Sequence, residues 1–459
     1  MSPAPARSLA IGRESANPLI AGLAVFLLLT TVLLGLPVPT LFIAMLVAGI
    51  AILAVIRPEI GLHVLALNAL VGLTRLVELP RVGPFSAVIL VEGLLIGAIL
   101  FQMAILRRRL HIGTPQHLLL GTLAVWIFIS VLMGVVVGPE NFQAYRNLFL
   151  VRLVMFGLVT ILVASIEGMR RILVTFMISN VGLLAAAAAV RAGYFGEEKI
   201  TFSDEFARSG AILQNPNELA FSLTTMLVLT LVALLVTRSR LLKVFLLGLA
   251  GADLIAIMMT LSRSGFVSMC VVLAFVFFKL TRSARALGIM ALILLCVWLT
   301  MPEELFTRFT NIEEIQDVDR LRLARVGIAM TADNPVLGVG LGNYVSSFNS
   351  YNVSYVKKAT AAHNMYLDLS AQMGTPALIL YLITFGITWR GLRRMERDLD
   401  SRGETWSFEY LMGLAVQASF VNLAVFGLSG DVEFDYGALI LLGLGLVLLR
   451  EHAARRGSG

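Results

Sequence analysis

Long apolar runs alternate with short polar segments along almost the whole chain of 459 residues. A helix of about 20 apolar residues crosses the hydrocarbon core of a membrane, and most of these runs approach that length. The pattern lacks the alternating segments of about ten residues that indicate membrane strands. The sequence therefore predicts an all-α, polytopic bundle of about 12–14 transmembrane helices. The predicted spans lie near 19–36, 39–56, 60–77, 86–106, 117–138, 149–165, 171–190, 217–236, 242–261, 264–279, 285–301, 365–389, 408–428 and 435–449.

Composition places the chain in the same class. Hydrophobic residues make up 58% of the chain and charged residues only 14%, whereas soluble domains carry about 25% charge. The two cysteines, Cys270 and Cys296, lie inside apolar runs, which excludes a disulfide framework and a cysteine metal site. The run 19–36 is longer than the core of a signal peptide, so we interpret it as the first helix.

The basic residues are divided unevenly between the two sets of loops. Of the 36 lysines and arginines, 22 lie in one set of alternate loops, most of them short. By the positive-inside rule this set faces the cytoplasm, and both termini lie on that side. The net charge of +7 is therefore a sign of membrane topology rather than of a nucleic-acid partner. The opposite face has two larger loops, 191–216 and 302–364.

This layout predicts three parts. Residues 1–190 form N-terminal transmembrane helices, 191–449 contain the other helices with both large loops, and 450–459 form a cytoplasmic tail. Loop 302–364 is the candidate for a subdomain outside the membrane.

Within that loop, Pro302-Glu303-Glu304 indicates the start of a helix. A second helix is predicted over 319–332, because the residue before Pro335 disfavours the helical conformation. The glycines that follow, Gly338, Gly340 and Gly342, predict a flexible turn. They do not predict a nucleotide site, because no strand precedes them.

His363 closes the larger loop and is followed by Asn364. A histidine titrates near neutral pH without perturbation, so one at the mouth of a bundle is a candidate base for a sugar hydroxyl. The alternative is a histidine that makes hydrogen bonds at the lipid interface. The other four histidines are interpreted as structural: His63, His111, His117 and His452.

Arginines on the face opposite the basic loops need a reason other than topology, and anion binding is one. Arg263 lies between two apolar runs with almost no loop around it, and an arginine at membrane depth is functional by default. Snorkelling from a helix end is the alternative, and 242–279 could be one broken helix with a re-entrant turn. Arg208 precedes a helix start capped by Asn215 or Asn217, and helix N-termini favour anions.

Three more arginines lie on the predicted helix 319–332: Arg320, Arg322 and Arg325. Such a run usually marks a solvated face, yet three outward arginines also suit a diphosphate. Alternate carboxylates at Asp431, Glu433 and Asp435 could bind a divalent metal, although a solvated loop is favoured there.

These motifs together resemble the bacterial O-antigen ligase and polymerase family over roughly residues 205–380. His363-Asn364, nine residues and then Gly374 resemble the ligase signature, which continues with glycine, threonine or tyrosine where this chain has Ala377. The remaining segments that carry the resemblance are Asn215-Pro216-Asn217-Glu218-Leu219-Ala220, Leu261-Ser262-Arg263-Ser264-Gly265, Arg320-Leu321, Asp333-Asn334-Pro335 and Gly338-Val339-Gly340-Leu341-Gly342-Asn343-Tyr344.

The resemblance implies a GT-C-like bundle in the bacterial inner membrane, with a periplasmic cavity. It implies an undecaprenyl-diphosphate-linked glycan as donor, the lipid A core or a growing polysaccharide as acceptor, and neither a nucleotide sugar nor a metal. His363 would be the general base. The residues that would hold the donor diphosphate are Arg208, Arg263, Arg320, Arg322 and Arg325, and those that would support the site are Asn215, Asn217, Asn364, Gly338 and Gly340.

Several functions remain open at this point. A ligase and a repeat-unit polymerase share the chemistry. The fourteen predicted spans and Ala377 favour the polymerase, and the spacing from His363-Asn364 to Gly374 favours the ligase. A transporter or flippase should show repeated halves or paired broken helices, whereas here the unexplained charges crowd one face. A purely structural subunit leaves those arginines unexplained.

Overall fold

The structure is a computed structural model, and it describes residues 57–71, 93, 96–97, 113–191, 215–281, 288, 303–310, 315–352 and 362–457. The chain divides into two compact units. One comprises residues 1–65 and 77–108, of which only a few are described, and the other comprises 66–76 and 109–459. The second unit contains the candidate site.

The described segments are helical and contain no strands, which confirms the predicted all-α class. The helix Pro139–Leu162 has one π-helical stretch at Asn147–Leu153. The helices are α1 (Pro58–Val71), α2 (Pro115–Leu132), α3 (Pro139–Leu162), α4 (Ile166–Arg191), α5 (Pro216–Val236), α6 (Arg240–Met259), α7 (Arg263–Thr281), α8 (Glu303–Thr310), α9 (Ile315–Asp333), α10 (Tyr344–Tyr351), α11 (Met365–Met373), α12 (Thr375–Ser401), α13 (Phe408–Phe426) and α14 (Tyr436–Gly457).

Nine of these described helices are long and apolar enough to cross a membrane: α2 to α7 and α12 to α14. The prediction of a polytopic membrane protein is thereby confirmed. The alternative of one broken helix over 242–279 is wrong, because α6 and α7 are separate helices of spanning length. The predicted spans 19–36, 39–56, 86–106 and 285–301 lie outside the described residues, as does the end of the span 60–77.

Helices α5 and α13 form the centre of the bundle. Both are apolar on all sides, and a helix of that kind is expected to be surrounded by other helices. Asn422 of α13 donates to the carbonyl of Phe221 at 2.9 Å, and its own side-chain oxygen accepts from Ser268 of α7 at 2.6 Å. Gly265 lets α7 approach closely, since a Cβ there would lie 2.3 Å from that of Ala220. Small residues and polar contacts of this kind hold membrane helices together.

The predicted span 365–389 is wrong in one respect, because it consists of two helices that meet at Gly374. The φ angle of Gly374 is +83°. A Cβ at this position would lie 1.8 Å from the carbonyl oxygen of Val336. The amide of Thr375 donates instead to the carbonyl of Pro335 at 2.8 Å. Hydrophobicity alone does not reveal this break, since both halves are apolar.

The glycine-rich loop 335–343 is fixed, so the predicted flexible turn is also wrong. Val339 and Gly340 donate their amides to the carbonyls of Ala371 and Gln372, at 2.8 and 2.9 Å. Ser130 of α2 donates to the carbonyl of Leu337 at 2.6 Å. Gly338, at φ +67°, sits so close to Gln372 that a Cβ would overlap its main chain. The loop is thus held in the break between α11 and α12.

Candidate active site

One end of the bundle brings together the ends of several helices. Helix α5 begins there after Asn215, whose side chain accepts from the amide of Asn217 at 2.9 Å, so the predicted cap is confirmed. Helix α13 ends there at Phe426, whose ring lies 5.2 Å from that of Phe221 near the start of α5. The loop 427–435 then leads into α14. This loop and the residues before α11 build the candidate site.

His363 and Asp431 form a pair at this end. Nδ1 of His363 lies 3.2 Å from Oδ2 of Asp431, and the side chains are 39% and 26% exposed. The pair is therefore reachable from outside the bundle. Within the described residues, Oδ1 of Asp431 is shielded from solvent and has no hydrogen-bond partner. A buried acceptor of this kind is costly to leave unpaired and is common at binding sites.

Asn364, the residue after His363, connects the start of α11 to the loop that carries Asp431. Its side-chain oxygen caps α11 by accepting from the amides of Tyr366 and Leu367. Its side-chain nitrogen donates to the carbonyl of Leu428 at 3.1 Å. Next to it, Met365 donates its amide to the carbonyl of Gly427 at 2.8 Å. The start of α11 is thereby joined to the loop that carries Asp431.

Two non-glycine residues in the described part of the chain adopt positive φ angles, Leu261 at 52° and His363 at 48°. Such conformations cost energy for residues other than glycine and persist where the surrounding structure enforces them, often at functional sites. One is His363 itself, and the other lies two residues before Arg263. The two positive φ angles thus lie at His363 itself and in the segment that contains Arg263.

A second pair, Asp368 and Glu433, lies beside the first. Asp368 is buried, and its carboxyl lies close enough to that of Glu433 for the two groups to interact electrostatically. Burial, and then the charges of Glu433 and Asp431, raise the pKa of Asp368. Burial, and then the charge of Asp431, also raise the pKa of Glu433. Both shifts favour the protonated form of these carboxyl groups.

Gln372 connects this carboxyl pair to the glycine-rich loop. Its side-chain nitrogen donates to Oδ2 of Asp368 at 2.7 Å. Its side-chain oxygen accepts from the amide of Gly342 at 2.7 Å. The amide group is held at both ends, so the loop fixes the orientation of Asp368. Gly338 and Gly340, which the sequence predicted to support the site, lie where the loop comes close to other main-chain segments.

Tyr344 brings α9 to the same region. Its hydroxyl donates to the carbonyl of Leu323 and lies against Gly327. Burial, followed by the charges of Asp368 and Asp431, raises the pKa of the Tyr344 phenol. Helix α9 is also joined to α11 by a 3.0 Å contact between the hydroxyls of Thr331 and Ser370.

The predicted arginines lie in different places. Arg263 is the first residue of α7, beside the start of α5. Arg320 and Arg322 are half-buried on α9, and Arg325 is exposed there. The segments of α7 and α9 that carry these arginines lie at the same end of the bundle as His363. Arg208 lies outside the described residues.

Arg152 is a charged residue of this region that the sequence did not single out. Its guanidinium lies 5.7 Å from the centre of the Tyr436 ring, at the start of α14. Its charge opposes the upward shift in the pKa values of Glu433 and Asp435. It follows an apolar stretch of α3, and only the fold brings it to the carboxylates.

The three acidic residues of loop 427–435 do not form a solvated loop, so the favoured interpretation was wrong. Asp431 faces His363, Glu433 faces Asp368, and Asp435 accepts from the amide of Ala438 at 2.9 Å as the cap of α14. In the described ranges, no three histidine, cysteine or acidic side chains are grouped so as to hold a metal ion.

The other described histidines outside α1 make local contacts. His117 contacts the hydroxyls of Thr114 and Thr160, at 2.7 and 2.9 Å. His452 lies 3.0 Å from Asp398, which also pairs with Arg402 at 2.8 Å. These contacts lie at the opposite end of the bundle from His363. His111 lies outside the described residues.

Comparison with known families adds to this geometry. Residues 245–382 match the family model described as O-antigen ligase. These residues form an O-antigen ligase domain. No curated protein matches the chain. The match confirms the resemblance drawn from the motifs over this segment, and it indicates an activity of the kind that membrane glycosyltransferases of the O-antigen ligase and polymerase family have.

The O-antigen ligase domain contains α7, α9, the glycine-rich loop, His363 and α11. The loop that carries Asp431 and Glu433 lies beyond its last matched residue. Asp431, which faces His363, and Glu433, which lies beside Asp368, therefore come from outside the matched segment.

Proposed function

We propose that this protein transfers a glycan from undecaprenyl diphosphate to an acceptor hydroxyl at the periplasmic face of the inner membrane. The observation that carries the proposal is the contact between His363 and Asp431 within reach of solvent at one end of a helical bundle. The O-antigen ligase domain that contains this histidine supports the choice of a lipid-linked glycan as the donor.

In this mechanism His363 removes the proton from the acceptor hydroxyl as that oxygen attacks the anomeric carbon. The carboxylate of Asp431 orients the ring and stabilises the imidazolium that forms, because opposite charges 3.2 Å apart attract. The bond from the anomeric carbon to the diphosphate oxygen breaks in the same step. A direct displacement of this kind inverts the anomeric configuration.

The departing diphosphate gains negative charge, which preorganised cations stabilise. Arg263 at the start of α7 is the first candidate, because the amides of a helix N-terminus add to its charge. Arg320, Arg322 and Arg325 of α9 are further candidates for the same group, as is Arg208.

The distribution of charge supports the proposed orientation. Helices α12 and α14 begin beside the site and end in basic segments that contain Arg390, Arg394, Arg397, Arg455 and Arg456. By the positive-inside rule these ends face the cytoplasm. The end that holds His363 then faces the periplasm.

For the acceptor we propose the lipid A core, as for a ligase, with a growing polysaccharide as the second candidate. The second candidate has one observation in its favour. Ala377, which stands where the ligase signature has glycine, threonine or tyrosine, is fully buried at the start of α12 and contributes only a methyl group.

The test uses the purified full chain in nanodiscs with an undecaprenyl-diphosphate-linked repeat unit, with and without lipid A core. A product that forms only with lipid A core supports the ligase, and a ladder on the carrier without it supports the polymerase. His363→Ala should abolish either product, while Glu404→Gln, at an exposed carboxylate between α12 and α13, should retain it. Full activity in His363→Ala, or a product with retained configuration, would refute the mechanism.

A further inference from the structure

A groove runs between α4 and α6 at the end of the bundle opposite His363. It encloses about 1230 Å³, and its walls come from α4, the end of α5, the start of α6 and the start of α13. We call it the basic-end groove. Its sides carry large apolar residues that are exposed, among them Val174 (57%) and Ile178 (57%) of α4 and Phe245 (50%) of α6. Its interior is thus suited to hydrocarbon rather than to water.

The mouth of the basic-end groove is positively charged. Arg170, Arg238 and Lys243 lie around it, and all three are exposed. The guanidinium of Arg170 lies 4.8 Å from the centre of the Phe408 ring, which helps to hold it at the mouth. Trp406 also lines the mouth and is 62% exposed. Tryptophan and basic residues at the end of membrane helices are typical of the headgroup level.

The length of the groove matches one leaflet. Along α4 it extends from Arg170 to Val181, which at 1.5 Å per residue is about 17 Å. Half of a hydrocarbon core of about 30 Å is close to that value. An acyl chain whose headgroup lies beside Arg170 would therefore end near the middle of the membrane.

We propose that the basic-end groove binds an anionic glycerophospholipid of the cytoplasmic leaflet. The acyl chains lie between α4 and α6, and the phosphate contacts Arg170, Arg238 and Lys243. Basic pockets between transmembrane helices on this side of a membrane bind anionic headgroups. The site lies at the end opposite His363, so the lipid is distinct from the glycan donor proposed there.

The experiment uses the full chain in phosphatidylcholine nanodiscs that contain a small fraction of brominated lipid, which quenches nearby tryptophan. The fluorescence that Trp406 contributes is obtained as the difference between the unaltered chain and Trp406→Phe. Brominated phosphatidylglycerol should quench it at lower mole fraction than brominated phosphatidylcholine. Each basic residue near the headgroups favours an anionic lipid by about fivefold, so the three together should give a preference of at least about tenfold.

Two variants locate the effect. Replacing Arg170, Arg238 and Lys243 by glutamine should reduce the preference to about one. The matched control replaces three exposed arginines of α12 at the same end of the bundle, and it should keep the preference: Arg390→Gln, Arg394→Gln and Arg397→Gln.

A third variant tests the apolar part of the groove. Val174→Phe narrows it and should weaken quenching by phosphatidylglycerol, whereas Val125→Phe, at an equally exposed position of α2, should not. Equal quenching by both lipids in the unaltered chain would overturn the proposal, as would a preference that survives loss of the three basic residues. Stronger displacement by a polyprenyl phosphate than by unlabelled phosphatidylglycerol would assign the groove to the donor and also overturn it.

Discussion

Asp431→Asn tests the contact on which the proposed mechanism depends. The substitution keeps the size and planarity of the side chain and removes the charge that faces Nδ1 of His363. The imidazolium formed during transfer then loses its nearest counter-charge. We expect the variant to fold as the unaltered chain does and to lose catalytic rate.

The separation of 3.2 Å sets the size of the effect. At this distance, two unit charges attract by about 1 kcal/mol in water and by about 5 kcal/mol at the effective dielectric constant of a protein surface. His363 is 39% exposed and Asp431 is 26% exposed, so the lower part of this range applies. A loss of about 1.5 to 3 kcal/mol corresponds to a decrease in rate of roughly 10- to 100-fold.

The assay is the single-turnover transfer of a labelled glycan from undecaprenyl diphosphate, measured beside His363→Ala and Glu404→Gln. Asp431→Glu keeps the charge and should recover part of the rate that Asp431→Asn loses. If Asp431→Asn transfers glycan within twofold of the unaltered rate while His363→Ala is inactive, the carboxylate does not assist the histidine. The proposed role of the pair would then be wrong.

Three further variants test the surroundings of the site. Gly374→Ala places a Cβ against the carbonyl of Val336 and should lower the free energy of unfolding by more than about 3 kcal/mol. Gly386→Ala, at a position of α12 with open space around it, should leave the free energy of unfolding unchanged. Thermal unfolding in detergent measures both variants. The pKa of Glu433 is raised from 4.5 to about 7, so the fold favours its protonated form. Glu433 should therefore stabilise the fold fully below about pH 4.5, and this contribution should be lost as the pH rises through 7. At pH 8 the free energy of unfolding of Glu433→Gln should therefore exceed that of the unaltered chain by up to about 3 kcal/mol. Free energies of unfolding that depend on pH in the same way in both proteins would contradict this. Gln372→Leu removes the hydrogen-bond donor to buried Asp368 and should lower the free energy of unfolding by about 1–3 kcal/mol. An unchanged free energy of unfolding and an unchanged transfer rate would show that the contact is dispensable.

Hydrophobic periodicity predicted most of the described fold because membrane helices must bury every backbone polar group within one apolar segment. The helix starts at Pro216 and Glu303 were also predictable, since caps and helix-start residues are local in sequence. The break at Gly374 was not, because it depends on the carbonyl of Val336, which approaches from a distant segment.

The candidate site was predictable only in part, for the same reason. His363, Asn364 and Arg263 could be singled out because each is unusual for its place in the chain. Asp431 follows His363 by 68 residues, and Arg152 lies far before both. Alternate carboxylates in a loop are usually solvated, so only the contacts to His363 and Asp368 identify them as part of the site.

The spacing of the glycine and histidine motifs has a physical explanation in the main chain. Gly338 and Gly340 lie against the carbonyls of Ala371 and Gln372, and Gly374 lies against Val336. These contacts join two stretches of backbone that side chains would push apart. The same junction orients Gln372 towards Asp368 and fixes α11, whose first turn carries the main-chain contact to Gly427. The glycines thus help to fix where His363 stands relative to Asp431, so we expect substitutions there to reduce activity by displacing the pair rather than by changing its chemistry.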